Sequence, residues 1–309
     1  MMDHENIIDW LLTGDVAVQY QTQRDLLGSD QHDLQNRINT EGWGAQFLSL
    51  RKKTGHWGRS FYQPKWISTH YTLLDLKNLG ITPECKDIKQ TIQSVLEQNE
   101  TVDGGINISK LLRVSDVCVN GMFLNFASYF QTKYELLKPI LDFIISSQMV
   151  DGGFNCNFNQ QGAVHSSLHS TISVLEGLHE YSVNKYDYRL SEIQHIENLA
   201  QEFILQHKMY RSDRTNRIID KRMLMLSYPS RWRYDILRAL DYFQNSRTRY
   251  DSRMQDALAV LEKKRRKDGR WPVQAKHPGQ THFDMEKTGK PSRWNTLRAL
   301  RVFKYYGIN

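Results

Sequence analysis

Long apolar runs are missing from this sequence. No segment approaches the roughly 18–20 consecutive apolar residues that a helix needs to span a bilayer, and the mean hydropathy is −0.60. The start, Met-Met-Asp-His-Glu-Asn, carries neither a basic leader region nor an apolar one, so no secretory signal is expected. Cysteine is scarce as well: Cys85, Cys118 and Cys156 stand far apart, a spacing that suggests no disulfide framework and points to a reducing cytoplasm. There is no low-complexity tract or linker, and strand patterns are nearly absent, so the expected class is all-α. Zinc-finger spacings and RNA-binding aromatic motifs are lacking too, so no nucleic-acid partner is expected despite a net charge of +7. The densest basic run, Lys263 to Lys267, follows an apolar helical pattern and precedes Asp268-Gly269. Cations there complement a helix C-terminus.

What is present is a repeated turn. Gly55-His56-Trp57, Gly104-Gly105-Ile106, Gly152-Gly153-Phe154 and Gly269-Arg270-Trp271 each follow an apolar helical pattern. The first three lie about 50 residues apart, and the last interval is roughly twice that. A degenerate copy without glycines is therefore expected between, at Phe203–Tyr210. A second helix follows each turn, as in Val119–Ala127 and Ser170–Leu178, with apolar positions every three or four residues. The N-terminal part adds helical patterns at Ile7–Leu12, at Val16–Leu27 behind an Asp15 cap, and at Asp30–Ile38. The repeating unit is thus helix, turn, loop, helix. Each such hairpin has an apolar face that only its neighbours can cover, and about five of them are enough to close a ring. The expected architecture is an α/α toroid in one domain, 1–309, with an open array of hairpins as the alternative. Residues 1–40 would be N-terminal helices, and 41–309 the hairpin repeats.

The turns resemble the repeat of the squalene cyclase and protein prenyltransferase superfamily, in which a Gln precedes Gly-x-aromatic. Gln148 before Gly152-Gly153-Phe154 and Gln98 before Gly104-Gly105-Ile106 carry the likeness. The chain as a whole resembles bacterial prenyltransferase/squalene-oxidase-repeat proteins, through Ser68–Leu73, Ser167–Leu178 and Ser292–Phe303. The Asp-x-Asp-Asp acid motif of the cyclases and an Asp-Asp-x-x-Asp motif are both absent, which counts against class II cyclisation.

Four groups of residues are candidates for chemistry. The first is Asp116, Cys118 and His169, whose carboxylate, thiolate and imidazole are all zinc ligands. Aligning Val119–Ala127 with Ser170–Leu178 sets Cys118 opposite His169. The group resembles the zinc site of prenyltransferase β subunits, with Asp-x-Cys on one helix and His on the next. That resemblance implies that Lys110 and Arg113 bind a prenyl diphosphate. Without a metal, Asp116 is a helix cap, Cys118 a small buried residue and His169 a core histidine. The second group is Trp66, His70, Tyr71, Trp232, Tyr234, Asp235 and Trp294, near the starts of second helices. His70, assigned the register of Cys118 and His169, is a candidate ligand, acid/base group or anion donor; with Tyr71 and Asp235 it makes the catalytic candidates, and the tryptophans either line a cavity or fill the core. Third, Arg231, Arg233 and Arg293 could hold a diphosphate or carboxylate, or pair with Asp235. Fourth, the loop His277–Glu286 offers His282, Asp284 and Glu286 as acid/base groups, or is a solvated lid.

The function these features imply is a transferase of prenyltransferase type that handles an isoprenoid or another anionic or apolar small molecule, with zinc at the mouth of a cavity. Three other functions remain open. One is a non-catalytic lipid- or peptide-binding toroid, and another a zinc thiol-addition enzyme resembling lanthionine cyclases, whose Cys-His-Gly motif is missing here. The third is a glycan-processing toroid enzyme using Asp151, Asp235, Asp284 or Glu286. The oligomeric state is not written in the sequence.

Overall fold

The computed structural model describes residues 2–98, 103–108, 114–157 and 161–308. Among them the regular structure is helical, and β pairing is limited to isolated bridges. No helix among the described residues is long and apolar enough to cross a membrane. Contacts gather the chain into two compact units, Met1–Leu50 with Asn78–Thr82 and Leu205–Asn309, and Arg51–Lys77 with Pro83–Ile204.

The first unit opens with α1 (Met2–Leu12), α2 (Val16–Gln21), α3 (His32–Arg37) and α4 (Gly42–Ser49). Asp15 is the expected cap: it accepts from Ala17 N at 2.9 Å, and its second oxygen accepts from Trp43 N at 2.8 Å. One carboxylate thus satisfies the orphan amides of two helix starts. The Val16–Leu27 pattern is helical throughout, but its second half, Thr22–Leu26, winds as a π-helix.

The second unit contains most of α5 (Thr69–Leu79), then α6 (Lys86–Gln98), α7 (Val117–Tyr129), α8 (Tyr134–Ser146), α9 (Leu168–Val183) and most of α10 (Leu190–Gln206). The first unit closes with α11 (Ile236–Asn245), α12 (Gln255–Lys263) and α13 (Arg293–Tyr306).

The repeated turn has a complete structural account. Gly104 and Gly152 adopt φ of +82° and +88°, and a Cβ there would lie 2.9 Å from the carbonyl oxygens of Pro139 and Leu199. The aspartate before each glycine pair reaches ahead to the next helix. Asp103 accepts from Ser115 N at 2.7 Å and Ser115 Oγ at 2.8 Å; Asp151 accepts from Ser166 N at 2.8 Å and from Ser166 Oγ. Gln148 donates to Gly152 O at 2.9 Å, which explains the glutamine ahead of the turn.

The residue after each turn is then fastened to one polar side chain on the following helix. Trp57 N donates to Thr69 Oγ1 at 3.1 Å, Ile106 N to Asn120 Oδ1 at 2.6 Å, Phe154 N to Thr171 Oγ1 at 3.0 Å and Trp271 N to Thr296 Oγ1 at 3.0 Å. These buried donors would otherwise be unsatisfied. The degenerate copy keeps the turn without glycine: after α10 ends, Lys208 and Met209 take φ of +41° and +70°. Met209 O there accepts from Tyr234 Oη at 2.5 Å.

Within the second unit, α7 and α9 pack backbone to backbone. A Cβ on Gly121 would lie 2.7 Å from Ser173 O, and one on Gly177 would strike the carbonyl of Gly121. The small residues permit this approach, and buried Phe123, Phe126, Leu175 and Leu178 flank it.

Candidate active site

The four buckles fix the true register of the repeats. Thr69, Asn120, Thr171 and Thr296 are equivalent, so Cys118 and His169 do match, each two residues earlier. His70 does not match them: it stands one residue after its buckle, three positions further into its helix. That places it in the core, fully buried, with neither ring nitrogen hydrogen-bonded. Phe61, Tyr62, Tyr71 and Phe126 surround it at centroid distances of 5.3, 5.3, 4.9 and 5.6 Å. Burial, followed by the charge of Lys65, pushes its pKa down to about 3, so it is neutral at pH 7. Tyr71 is buried, shares a 3.1 Å hydrogen bond with Tyr62 Oη and meets Trp66 edge-on at 4.9 Å. Here Phe61, Trp66, Tyr71 and Phe126 fill the core.

The expected zinc triad is corrected. Asp116 is the N-cap residue of α7, but its side chain makes no capping hydrogen bond. Cys118 forms a disulfide with Cys156, with Cα atoms 6.0 Å apart. That is within disulfide reach, and it removes the thiolate from the ligand set. His169 is half-buried at the start of α9. Among the described residues no three His, Cys, Asp or Glu side chains form a group that could hold a metal ion. The absence of a disulfide framework, inferred from wide spacing, is corrected by the same bond. The two cysteines are distant in sequence, but adjacent hairpins bring them together. Lys110 and Arg113 lie outside the described residues.

The first unit assembles a different constellation. Its aromatic part comes from separate segments. Tyr228 stacks on Trp294 at 5.3 Å and 17°, and Trp43 tilts against Trp294 at 6.3 Å. One turn along α4, Phe47 meets Phe283 at 4.6 Å and the edge of His282 at 5.6 Å. The helical spacing of Trp43 and Phe47 therefore joins Trp294 to the loop that carries His282. Asn295 Nδ2 donates to Leu226 O at 3.3 Å and Pro272 O at 3.0 Å, which holds the two loop bases together.

The charged part is Arg231 with two imidazoles. Arg231 is buried, with φ of +57°. His282 has its pKa pushed down to about 4, first by burial and then by Arg231. His277, whose Nε2 lies 3.2 Å from Ser230 O, is pushed down to about 4 by burial and then by Arg233, with Arg231 and Arg238 adding to it. Both rings are neutral at pH 7 beside fixed positive charge. Arg233 lies over the Trp232 ring at 5.0 Å.

The carboxylates here are structural. Asp235 caps α11, accepting from Arg238 N at 2.9 Å; burial raises its pKa against the pull of Arg298. Glu286 is pushed up to about 7, chiefly by burial. It accepts from Arg293 N at 2.6 Å, from Trp294 N at 3.3 Å and from Ser292 Oγ. Asp284 is held low by its ion pair with Lys276. Of the expected site residues, Arg231, Trp232, Asp235 and Trp294 belong to this unit, and Trp66, His70, Tyr71, Asp116, Cys118 and His169 to the other. Tyr228, Trp43 and His277 stand in no motif of the sequence. Only the stacking partners and the arginine fields mark them.

No family model and no curated protein matches the chain. Among solved structures it is similar to a glycosyl hydrolase of family 88 from Bacteroides vulgatus. The TM-score is 0.54 at 11% identity, covering 93% of this chain and 88% of that one. It is also similar to a polysaccharide lyase, with a TM-score of 0.55 at 13% identity, covering 98% of this chain and 96% of that one. The fold is the all-α, α/α-toroid fold. The expected kinship with squalene cyclases and prenyltransferases is overturned by these likenesses, and the terpenoid reading, the isoprenoid ligand and the zinc site go with it.

Proposed function

We propose that the protein is a glycan-processing enzyme that cleaves an acidic, uronate-bearing polysaccharide by β-elimination. The observation that carries this reading is a buried Arg231 beside two imidazoles held neutral at pH 7, in the unit that also holds the Tyr228–Trp294 stack. The fold shared with a glycosyl hydrolase and a polysaccharide lyase supports it. Aromatic faces suit the apolar faces of sugar rings, and a guanidinium suits a carboxylate in a bidentate pair.

In the proposed step Arg231 binds the uronate carboxylate, which acidifies the adjacent C5–H. His282 takes that proton, the electron pair forms the C4–C5 double bond, and the C4–O bond breaks. The resulting imidazolium returns the proton to the departing oxygen. Substrate binding also tunes the base. A carboxylate paired with Arg231 cancels part of the positive field that depresses His282, so the pKa rises towards its ordinary value once the site is filled. Hydrolysis through Glu286 is the second reading, because a carboxyl raised to about 7 can act as a general acid. Its oxygens, however, are taken by the start of α13.

The test is incubation with a panel of uronate polysaccharides and a neutral glucan, following ultraviolet absorbance of unsaturated ends alongside reducing ends. Elimination yields both signals on the uronates alone, whereas hydrolysis yields reducing ends only. His282→Ala is expected to lower turnover by about 10²–10⁴-fold. An inert wild type, or a His282→Ala variant of full activity, refutes the assignment. The Cys118–Cys156 disulfide fits an oxidising compartment better than the cytoplasm expected from the cysteine count.

A further inference from the structure

A second cationic feature of the first unit takes no part in the proposed cleavage. Trp10, near the end of α1, carries two guanidiniums on one indole. Arg270 Cζ lies 4.1 Å and Arg293 Cζ 4.6 Å from the ring centroid. Arg293 is oriented by hydrogen bonds from Nε to Trp10 O at 3.1 Å and from Nη2 to Thr13 Oγ1 at 3.4 Å. Arg270 differs. Its Nε is buried without an acceptor, and among the described residues its guanidinium makes no hydrogen bond or ion pair.

The two cations also act on each other. Burial lowers the pKa of Arg293, the nearby charge of Arg270 lowers it further, and Glu286 opposes both. Glu286 offsets part of the charge on Arg293, while its oxygens accept from Ser292 Oγ and from the amides of Arg293 and Trp294, so Arg270 is left without a carboxylate. Asp268, two residues before Arg270, accepts from Arg270 N at 3.2 Å and pairs with Arg266. Like charges held on one ring, with a buried N–H unanswered, are stabilised when an oxyanion bridges them. The indole strips water from the guanidinium faces and leaves their edges as donors.

We propose that Trp10, Arg270 and Arg293 form an oxyanion-binding site, distinct from the Arg231 and imidazole cluster, that takes a carboxylate or sulfate group. The group arrives either as a substituent of an acidic glycan or as a free inorganic anion. The site stands whether or not the cleavage reading does.

The experiment is a titration of the full chain at constant ionic strength, followed by tryptophan fluorescence and calorimetry. One arm uses sodium sulfate against sodium chloride, and the other a uronate oligosaccharide. Saturable sulfate binding over chloride is expected, weakened at least tenfold by Arg270→Gln and unchanged by Lys267→Gln. Oligosaccharide binding that depends on Arg270 and is stronger than sulfate binding assigns the site to a glycan; equal or weaker binding assigns it to a free anion. No saturable binding of either probe, or equal affinities in Arg270→Gln and the wild type, overturns the site. If Arg270→Gln fails to fold, phenylglyoxal modification of wild-type Arg270, read by peptide mass, replaces it. Sulfate should slow that modification, and an unchanged rate overturns the site. Sulfate binding through Arg270 in a protein that cleaves no polysaccharide keeps this site and sinks the cleavage reading; cleavage with no anion effect at Arg270 does the reverse.

Discussion

Replacing Thr171 with valine tests the account of the repeat most directly. Thr171 Oγ1 accepts from Phe154 N at 3.0 Å, and both residues are fully buried. Valine keeps the shape and removes the acceptor, so the Phe154 amide is stranded. A stranded buried donor costs about 1–3 kcal/mol. Part of that is offset by the better transfer of a methyl than a hydroxyl, which leaves about 1–2 kcal/mol. With a urea dependence of about 2–3 kcal/mol per molar, the midpoint should fall by roughly 0.5 M. Native-state hydrogen exchange gives a local reading: the Phe154 amide should lose about tenfold or more in protection. Thr171→Ser retains the acceptor and should keep most of the stability. Thr296→Val, at the equivalent buckle on Trp271, should cost a similar amount in the first unit. A Thr171→Val protein with an unmoved urea midpoint and full Phe154 protection would refute the buckle as a stabilising device.

Three further outcomes follow from particular side chains. Glu197 has Oε1 buried without a partner, and burial pushes its pKa up to about 7. The folded state therefore binds more protons than the unfolded one between the ordinary carboxylate range and pH 7, and stability falls as pH rises through that window. Glu197→Gln should stabilise by about 1–3 kcal/mol at pH 8 and have little effect at pH 4; an equal effect at both pH values contradicts this. Gly177→Ala should destabilise by about 1–3 kcal/mol, because its methyl strikes the Gly121 carbonyl, and a melting temperature equal to wild type would show that α7 and α9 are not so close. Alkylation of denatured, unreduced protein should label Cys85 and leave Cys118 and Cys156 unlabelled until reductant is added; immediate labelling of all three counts against the disulfide.

The local level was legible in the sequence because its causes are local. Apolar positions every three or four residues announced helices, the Asp15 cap was readable, and the Asp-Gly-Gly turns marked where the first helix of a hairpin gives way to the second. Even the glycine-free copy at Phe203–Tyr210 showed through its hydrophobic pattern, and positive φ at Lys208 and Met209 preserves the turn. The register of His70 was not legible. It depends on which polar residue fastens each turn, and threonine and asparagine do this interchangeably, without a fixed motif.

The site belongs to the tertiary level. Asp116, Cys118 and His169 have the residue types and repeat positions of a zinc site, but the bond from Cys118 to Cys156 is decided by how neighbouring hairpins meet. Trp43, Tyr228, Trp294 and His282 come from separate stretches of the chain, and no spacing links them. Arg231 acts on His282 through space, by a field that burial strengthens. Helices and turns are short-range consequences of backbone sterics and hydrophobic period, so the sequence alone determined the hairpin repeat. Burial, neighbouring charge and ring stacking depend on residues remote in the chain, so only the folded structure decided which repeated positions became core and which became a site.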